Sequence, residues 1–413
     1  MSRPASVTDT QVLIAGGGPI GLALAADLGR RGVRTLLVER NENRIGSAKM
    51  LEVGVRTMEF CRQLGIASRV RHWGFPFDWP LDSAFVTSMT DWELGRVRTP
   101  ALGVYRSTDV SPERGQPCPQ TWFDPILQEC ARSFPSVTIR HRVRLDSFMQ
   151  DDAGVTATLT DLAAGRSETV RADFLVGCDG FASTVRDQLG IAVRGDPHID
   201  WSMTISYDYE RRPASARAAE VSLQNYRRLT SAAQRAEILS PTPAGDAARR
   251  AMGAGLVEEN EKSWHPVGVH LGHVYHPSPI VVPNGTPAPA DDTFGYVPTA
   301  FPGARAPHAW LAPDKSTLDL FGDGFVLLAF ADVATEPLAR AAATRAVPLA
   351  VHRIDDPKIA ALYAARLVLV RPDGHVAWRG DALPPSCEAL IDTVRGAGAR
   401  VAARRATPAA AAT

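Results

Sequence analysis

The sequence predicts two α/β modules separated by a helical and then irregular middle, and three observations carry that expectation. Short apolar runs alternate with amphipathic stretches over residues 11–205, the pattern of strands and helices taken in turn. A glycine cluster stands between the first apolar run and the first amphipathic one. The alternation then resumes over 301–398, beyond a stretch rich in Pro, Gly and His. A chain of 413 residues is longer than one ordinary domain. The expected divisions are 1–205, 206–295 and 296–400, with 401–413 an Ala-rich tail expected to be disordered.

The elements follow in order. Val12-Leu13-Ile14-Ala15 reads as a buried strand, residues 21–31 as a helix, and Thr35-Leu36-Leu37-Val38 as the next parallel strand. Residues 151–171 hold Val155-Thr156-Ala157-Thr158-Leu159 and a turn at Gly165, which predicts a hairpin. Phe174-Leu175-Val176-Gly177 is a further buried strand. From Tyr207 to about Ala254 the pattern is helical, and 264–300 reads as an extended linker. In the last module, Phe325-Val326-Leu327-Leu328 and Leu367-Val368-Leu369-Val370 are strands. Pro372-Asp373-Gly374 turns into His375-Val376-Ala377-Trp378, and a helix closes the module from about Ser386 to Val394.

Composition narrows the function. An apolar fraction of 45% suffices for packed cores. A formal net charge of zero gives no reason to expect a nucleic-acid partner. The five cysteines are scattered and form no CxxC pair, which argues against a disulfide framework or zinc site and for a reducing cytoplasm. Polar Ser2-Arg3-Pro4 and an apolar stretch that runs straight into glycines do not look like a signal peptide. No run of 18 apolar residues exists, so no membrane span is expected. His198, His265, His270, His273 and His276 lie among Pro and Gly and read as loop, so no metal is expected.

Gly16-Gly17-Gly18-Pro19-Ile20-Gly21 is a GxGxxG cluster directly after a strand and opening a helix, and Glu39 ends the strand that follows. In that context the motif predicts a dinucleotide site. Gly16 permits the tight turn, Gly18 lets a pyrophosphate approach the backbone, and Gly21 lets helix and sheet pack closely. The helix start, with Pro19 in its first turn, offers unpaired N–H groups and partial positive charge to phosphates. Glu39, followed by Arg40, would accept the hydroxyls of an adenosine ribose and disfavour a 2′-phosphate. Far downstream, Asp179-Gly180 forms a turn at a strand's carboxyl end, and Ser183 can cap the next helix. Such a turn lies where open α/β folds bind ligands, although Asp-Gly alone is equally an ordinary turn.

These two motifs together resemble the flavoprotein aromatic-ring hydroxylases, the family of p-hydroxybenzoate, phenol and hydroxyphenylpropionate hydroxylases. The resemblance implies an FAD-binding Rossmann-like domain followed by a thioredoxin-like C-terminal α/β domain. It implies FAD as cofactor, NADH or NADPH as reductant, O₂ and a small phenolic substrate. Lys49 and Met50 match the family's loop against the flavin, Gln120 its flavin-contacting glutamine, and Val143 the strand running past the adenine. Asp179 and Gly180 match its second pyrophosphate and NAD(P)H motif. Ser206-Tyr207-Asp208-Tyr209-Glu210-Arg211-Arg212-Pro213 and the segment 302–310 also resemble family segments. The last module lacks CxxC, so packing or homodimerisation is its expected role rather than thiol chemistry.

One departure stands out. The family's antiparallel substrate sheet, and the Gly-Asp-Ala-Ala-His segment beyond it, have no counterpart between Ile205 and Ser206. That predicts an internally truncated FAD domain lacking about a hundred residues or more. Gly245-Asp246-Ala247-Ala248 has similar letters but is followed by Arg249, and both it and Gly195-Asp196 read as turns. Three functions follow from this reading: an active FAD monooxygenase, an inactive FAD- or ADP-binding remnant, and a scaffold acting through residues 296–400. No catalytic side chain is singled out, since the flavin carries the chemistry.

Overall fold

The computed structural model describes residues 8–42, 50–88, 90–104, 109–180, 182–191, 217, 220, 236–264 and 267–397, without the side chains of 259–264. Contacts divide the chain into two compact units. The first comprises 1–75 and 113–203, the second 76–112 and 204–413.

A six-stranded sheet organises the first unit. Its strands are β1 (Thr8–Ala15), β2 (Thr35–Glu39), β3 (Val137–His141), β4 (Val143–Asp151), β5 (Gly154–Asp161) and β6 (Arg166–Gly177). Their spatial order is β3-β2-β1-β6-β5-β4. β1 runs parallel to β2 and β6, and β2 parallel to β3. β4, β5 and β6 form an antiparallel meander, and its second turn contains the expected Gly165, at φ +62°.

Because side chains alternate faces along a strand, neighbouring residues of β1 feed two different cores. Ile14 and Leu37 pack with the helices α1 (Pro19–Arg30), α2 (Val55–Gln63), α3 (Ala67–Arg71) and α4 (Gln120–Arg132). Leu13, Leu36 and Val38 pack with Leu145, Leu159 and Val170 of the meander. Leu13, Ile14 and Leu37 are fully buried. A strand covered on both faces reads as an unbroken apolar run, as this one does. Gly29 sets the helix against the sheet, since a methyl there would crowd Val137 and Phe134.

In the second unit, the antiparallel strands Ser83–Val86 and Glu93–Val97 pair and pack against α6 (Pro243–Trp264). Gly253 of α6 lies so close to the carbonyl of Leu94 that a side chain would collide. The Arg249 guanidinium lies 4.1 Å from the centre of the Trp92 ring. Gly245-Asp246-Ala247-Ala248 is therefore the first turn of a helix, not the expected free turn. Arg249, which breaks the motif's letters, is buried and donates to the carbonyls of Ile238 and Ser240. The helix runs to Trp264, and a short helix at Val267–Leu271 interrupts the expected linker.

A four-stranded sheet follows, of β7 (Phe325–Ala329), β8 (Leu349–Arg353), β9 (Leu367–Val370) and β10 (Val376–Gly380), in the order β8-β7-β9-β10. Only β7 and β8 are parallel. α7 (Glu336–Thr344) and α9 (Cys387–Val394) bury Leu338, Leu390 and Ile391 on one face. α8 (Pro357–Tyr363) buries Ile359 and Tyr363 on the other. This βαβ unit followed by ββα, with helices on both faces, is the expected thioredoxin-like arrangement. Its cysteine, Cys387, is buried and free. The signature 206–213, the motif 195–196 and the Ala-rich tail lie outside the described residues.

Candidate functional site

β1 ends at Ala15, and the chain must turn at once to enter α1. Gly16 makes that turn at φ +110°, a region where side chains are strained. A methyl there would also strike the carbonyl of Cys178, at the end of β6. A methyl on Gly21 would strike the carbonyl of Gly16. Glycine at 16 and 21 thus lets the turn, the helix and two strand ends meet. Gly18 differs: its φ of −76° suits any residue, and nothing lies within 4 Å of where its Cβ would be. The space above it is open. Pro19 stands at the first helical position and the first turn of α1 carries no acidic residue, so its N–H groups face the cleft without a competing anion.

Glu39 closes the far side. One carboxylate oxygen accepts from the Gly17 N–H at 2.7 Å. The other accepts from the backbone and the side-chain amide of Asn41 at 2.8 and 2.7 Å. These bonds hold the carboxylate in one orientation, and the oxygen that accepts from Gly17 keeps a lone pair for a ligand. The Asp179 carboxylate accepts from Ser183 Oγ at 2.6 Å and from the Thr184 N–H at 2.7 Å. Ser183 accepts in turn from the Arg186 N–H, so the acid organises the start of α5 (Thr184–Gln188). Gly180 makes the turn between them at φ +79°.

These pieces line one open cleft of about 900 Å³ at the carboxyl ends of β1, β2 and β6. Gly16, Gly18, Glu39 and Arg40 form one part of its wall, and Asp179 and Gly180 another. Gln120 and Val143 line it as well. Pro19 and Gly21 stand behind the turn and shape it. Met50 is not in the lining, but its carbonyl accepts from the Gln120 N–H at 2.8 Å and so fixes the start of α4. Lys49 lies outside the described residues.

The cleft also contains a polar row of which the sequence reading found only Gln120. Gln120, Asp124 and Gln128 follow at intervals of four on α4, all buried, and His141 ends β3 beside them. Gln120 Nε2 donates to Asp124 at 3.0 Å, and His141 Nε2 lies 3.0 Å from Gln128 Oε1. Burial pushes the Asp124 carboxyl up to about 6, opposed by the Gln120 hydrogen bond. Burial, then the charge of Arg132, holds His141 below its ordinary value. Four-residue spacing of polar groups on an otherwise amphipathic helix was the available signal.

The arrangement fits an adenine dinucleotide: an open phosphate cradle, a fixed carboxylate, and buried acceptors without a donor among the described residues. Among the described residues, no group of three or more His, Cys, Asp or Glu side chains is placed to hold a metal ion. Nor is any helix there long and apolar enough to cross a membrane.

The fold and cleft define a dinucleotide-binding α/β protein with a second α/β module. The family described as FAD binding domain matches residues 9–241, and that described as aromatic-ring hydroxylase, C-terminal, matches 299–403. The chain belongs to the FAD-dependent aromatic-ring hydroxylase family. It is 28% identical to tetracenomycin B2 monooxygenase-dioxygenase of Streptomyces olivaceus, over 95% of this chain and 98% of that one. It is 32% identical to 2,4-dichlorophenol 6-monooxygenase of Delftia acidovorans, over 50% of this chain and 36% of that one. The solved structure of the rebeccamycin biosynthetic enzyme RebC with reduced flavin superposes with a TM-score of 0.84 at 31% identity. That match covers 95% of this chain and all of the other.

Proposed function

We propose that this protein is an NADH- or NADPH-dependent FAD monooxygenase that hydroxylates a small phenolic compound. The observation that carries this reading is the cleft at the strand ends, where the glycine turn faces the oriented carboxylate of Glu39. Gly16, Gly18, Pro19 and Gly21 would form the pyrophosphate cradle, and Glu39 with Arg40 would hold the adenosine ribose. Asp179 and Gly180 would line the second phosphate contact, with Val143 beside the adenine. Gln120, together with Met50 and Lys49, would bound the flavin end. Bound FAD would supply the redox chemistry, passing electrons from the reduced nicotinamide to O₂ so that one oxygen atom enters an aromatic ring. The protein's own part is to bind, orient and shield. Relatives over these residues carry monooxygenase names, and nothing in them favours an inactive remnant.

We further infer that the chain lacks an internal substrate-covering segment near residue 205. The alignment with the Streptomyces olivaceus enzyme runs over 545 positions, against 413 residues here. Divisions at 1–205, 206–295 and 296–400, a cytoplasmic location and a homodimer complete the proposal.

The test is a visible spectrum of the purified protein before and after adding FAD, followed by NADH and NADPH oxidation with and without phenols. The expected result is a bound-flavin spectrum and oxidation stimulated by a phenol. A protein that acquires no flavin spectrum contradicts the cofactor reading. Bound flavin without stimulation contradicts hydroxylation alone.

A further inference from the structure

The polar row along the cleft contains two buried acceptors that no described residue satisfies. Among the described residues, Asp124 Oδ1 and His141 Nδ1 are buried without a hydrogen-bond partner. Buried polar atoms are nearly always paired, so each such atom calls for a partner that the described residues do not provide. The state of the histidine follows from its neighbour. Gln128 Oε1 can only accept, so His141 Nε2, 3.0 Å away, carries the ring proton. Burial disfavours the charged ring, and in the neutral ring Nδ1 is left with a lone pair and no proton. Asp124 Oδ2 already accepts from Gln120, which leaves Oδ1 as a second acceptor above the pH at which the acid ionises. This stretch of wall therefore favours an occupant that brings hydrogen-bond donors and disfavours one that brings a carbonyl oxygen.

We propose that His141, held in one tautomer by Gln128, is a specificity-determining residue that accepts a hydrogen bond from the 6-amino group of the cofactor's adenine. His141 and Val143 line the same cleft as Glu39 and the glycine turn. The inference thus rests on the reading of that cleft as the site of an adenine dinucleotide and adds the group that reads the base. On an adenine nucleotide the other donors are the ribose hydroxyls, and Glu39 stands ready for them. Hypoxanthine has a carbonyl oxygen where adenine has the amino group, so its lone pairs would face the lone pair of Nδ1. A site built to receive a hydrogen bond rejects an analogue that lacks it more strongly than an apolar wall would.

The experiment is calorimetric titration of the full-length chain, freed of flavin, with adenosine diphosphate and inosine diphosphate. The wild type is expected to bind the adenine nucleotide about tenfold more tightly. His141→Leu is expected to narrow the difference to about twofold, chiefly by weakening the adenine nucleotide. Gln128→Leu leaves the ring intact but releases its tautomer and should narrow the difference in the same direction, which guards against a His141 variant that fails to fold. Equal affinity of the wild type for both nucleotides would overturn the inference and leave the nucleotide site standing. A preference that persists in both variants would also overturn it, by assigning base reading to other groups. Binding of neither nucleotide, nor of FAD, would remove the site and the inference together.

Discussion

Gly16 and Gly18 are two residues apart in one motif, yet the structure gives them opposite reasons for being glycine. At Gly16 the backbone is left-handed and a methyl would strike Cys178. Gly16→Ala is therefore expected to cost about 2–4 kcal/mol of stability, read in a denaturant melt. At Gly18 a methyl meets no protein atom, so Gly18→Ala should keep stability within about 1 kcal/mol while weakening FAD binding at least about tenfold. If both variants lose stability equally, the open cradle is not what Gly18 preserves. Asp124 makes a prediction in pH. Its folded-state value, about 6, lies above the ordinary 3.8, so folded protein holds its proton more tightly than unfolded protein does. The resulting stability is fully present below pH 4 and is lost as pH rises through about 6, by up to about 3 kcal/mol. Asp124→Asn keeps an acceptor for Gln120 and removes the ionisation. Its melting temperature should fall less than the wild type's between pH 4 and 8, and parallel profiles would contradict the burial of this acid.

Among the elements, α5 shows how a ligand motif can also be a structural one. Asp179 and Ser183 satisfy the first N–H groups of that five-residue helix. Asp179→Ala should cost about 1–2 kcal/mol, the scale of a lost cap, and Asp179→Asn distinctly less, since an amide oxygen still accepts. Equal losses in the two variants would show that the charge, not the hydrogen bonding, matters there. The strand–glycine–helix element was legible because each residue type carries its own backbone constraint. Helix α6 was not. Gly245-Asp246 reads locally as a turn, and only packing on the 83–97 hairpin, with Gly253 against Leu94 and Arg249 over Trp92, makes it helical. Tertiary contacts override propensity of that size.

For the molecule as a whole, the cleft belongs to the first unit alone. A ligand stabilises only the part that binds it, by about 2.7 kcal/mol at a hundredfold excess over Kd. Calorimetric unfolding is therefore expected to show FAD raising the transition of the first unit and leaving that of the second where it was. A uniform shift of a single transition would mean that the two units unfold as one.

The sequence by itself determined the two α/β modules, the glycine turn, its acidic partner and the family, because these depend on backbone conformation and on spacing within one or two elements. The tertiary structure alone decided that Asp124, Gln128 and His141 share the cleft. Asp124, Gln128 and His141 are unremarkable letters until α4 is laid across the sheet, since burial and the loss of water, not residue type, turn them into acceptors in want of a donor.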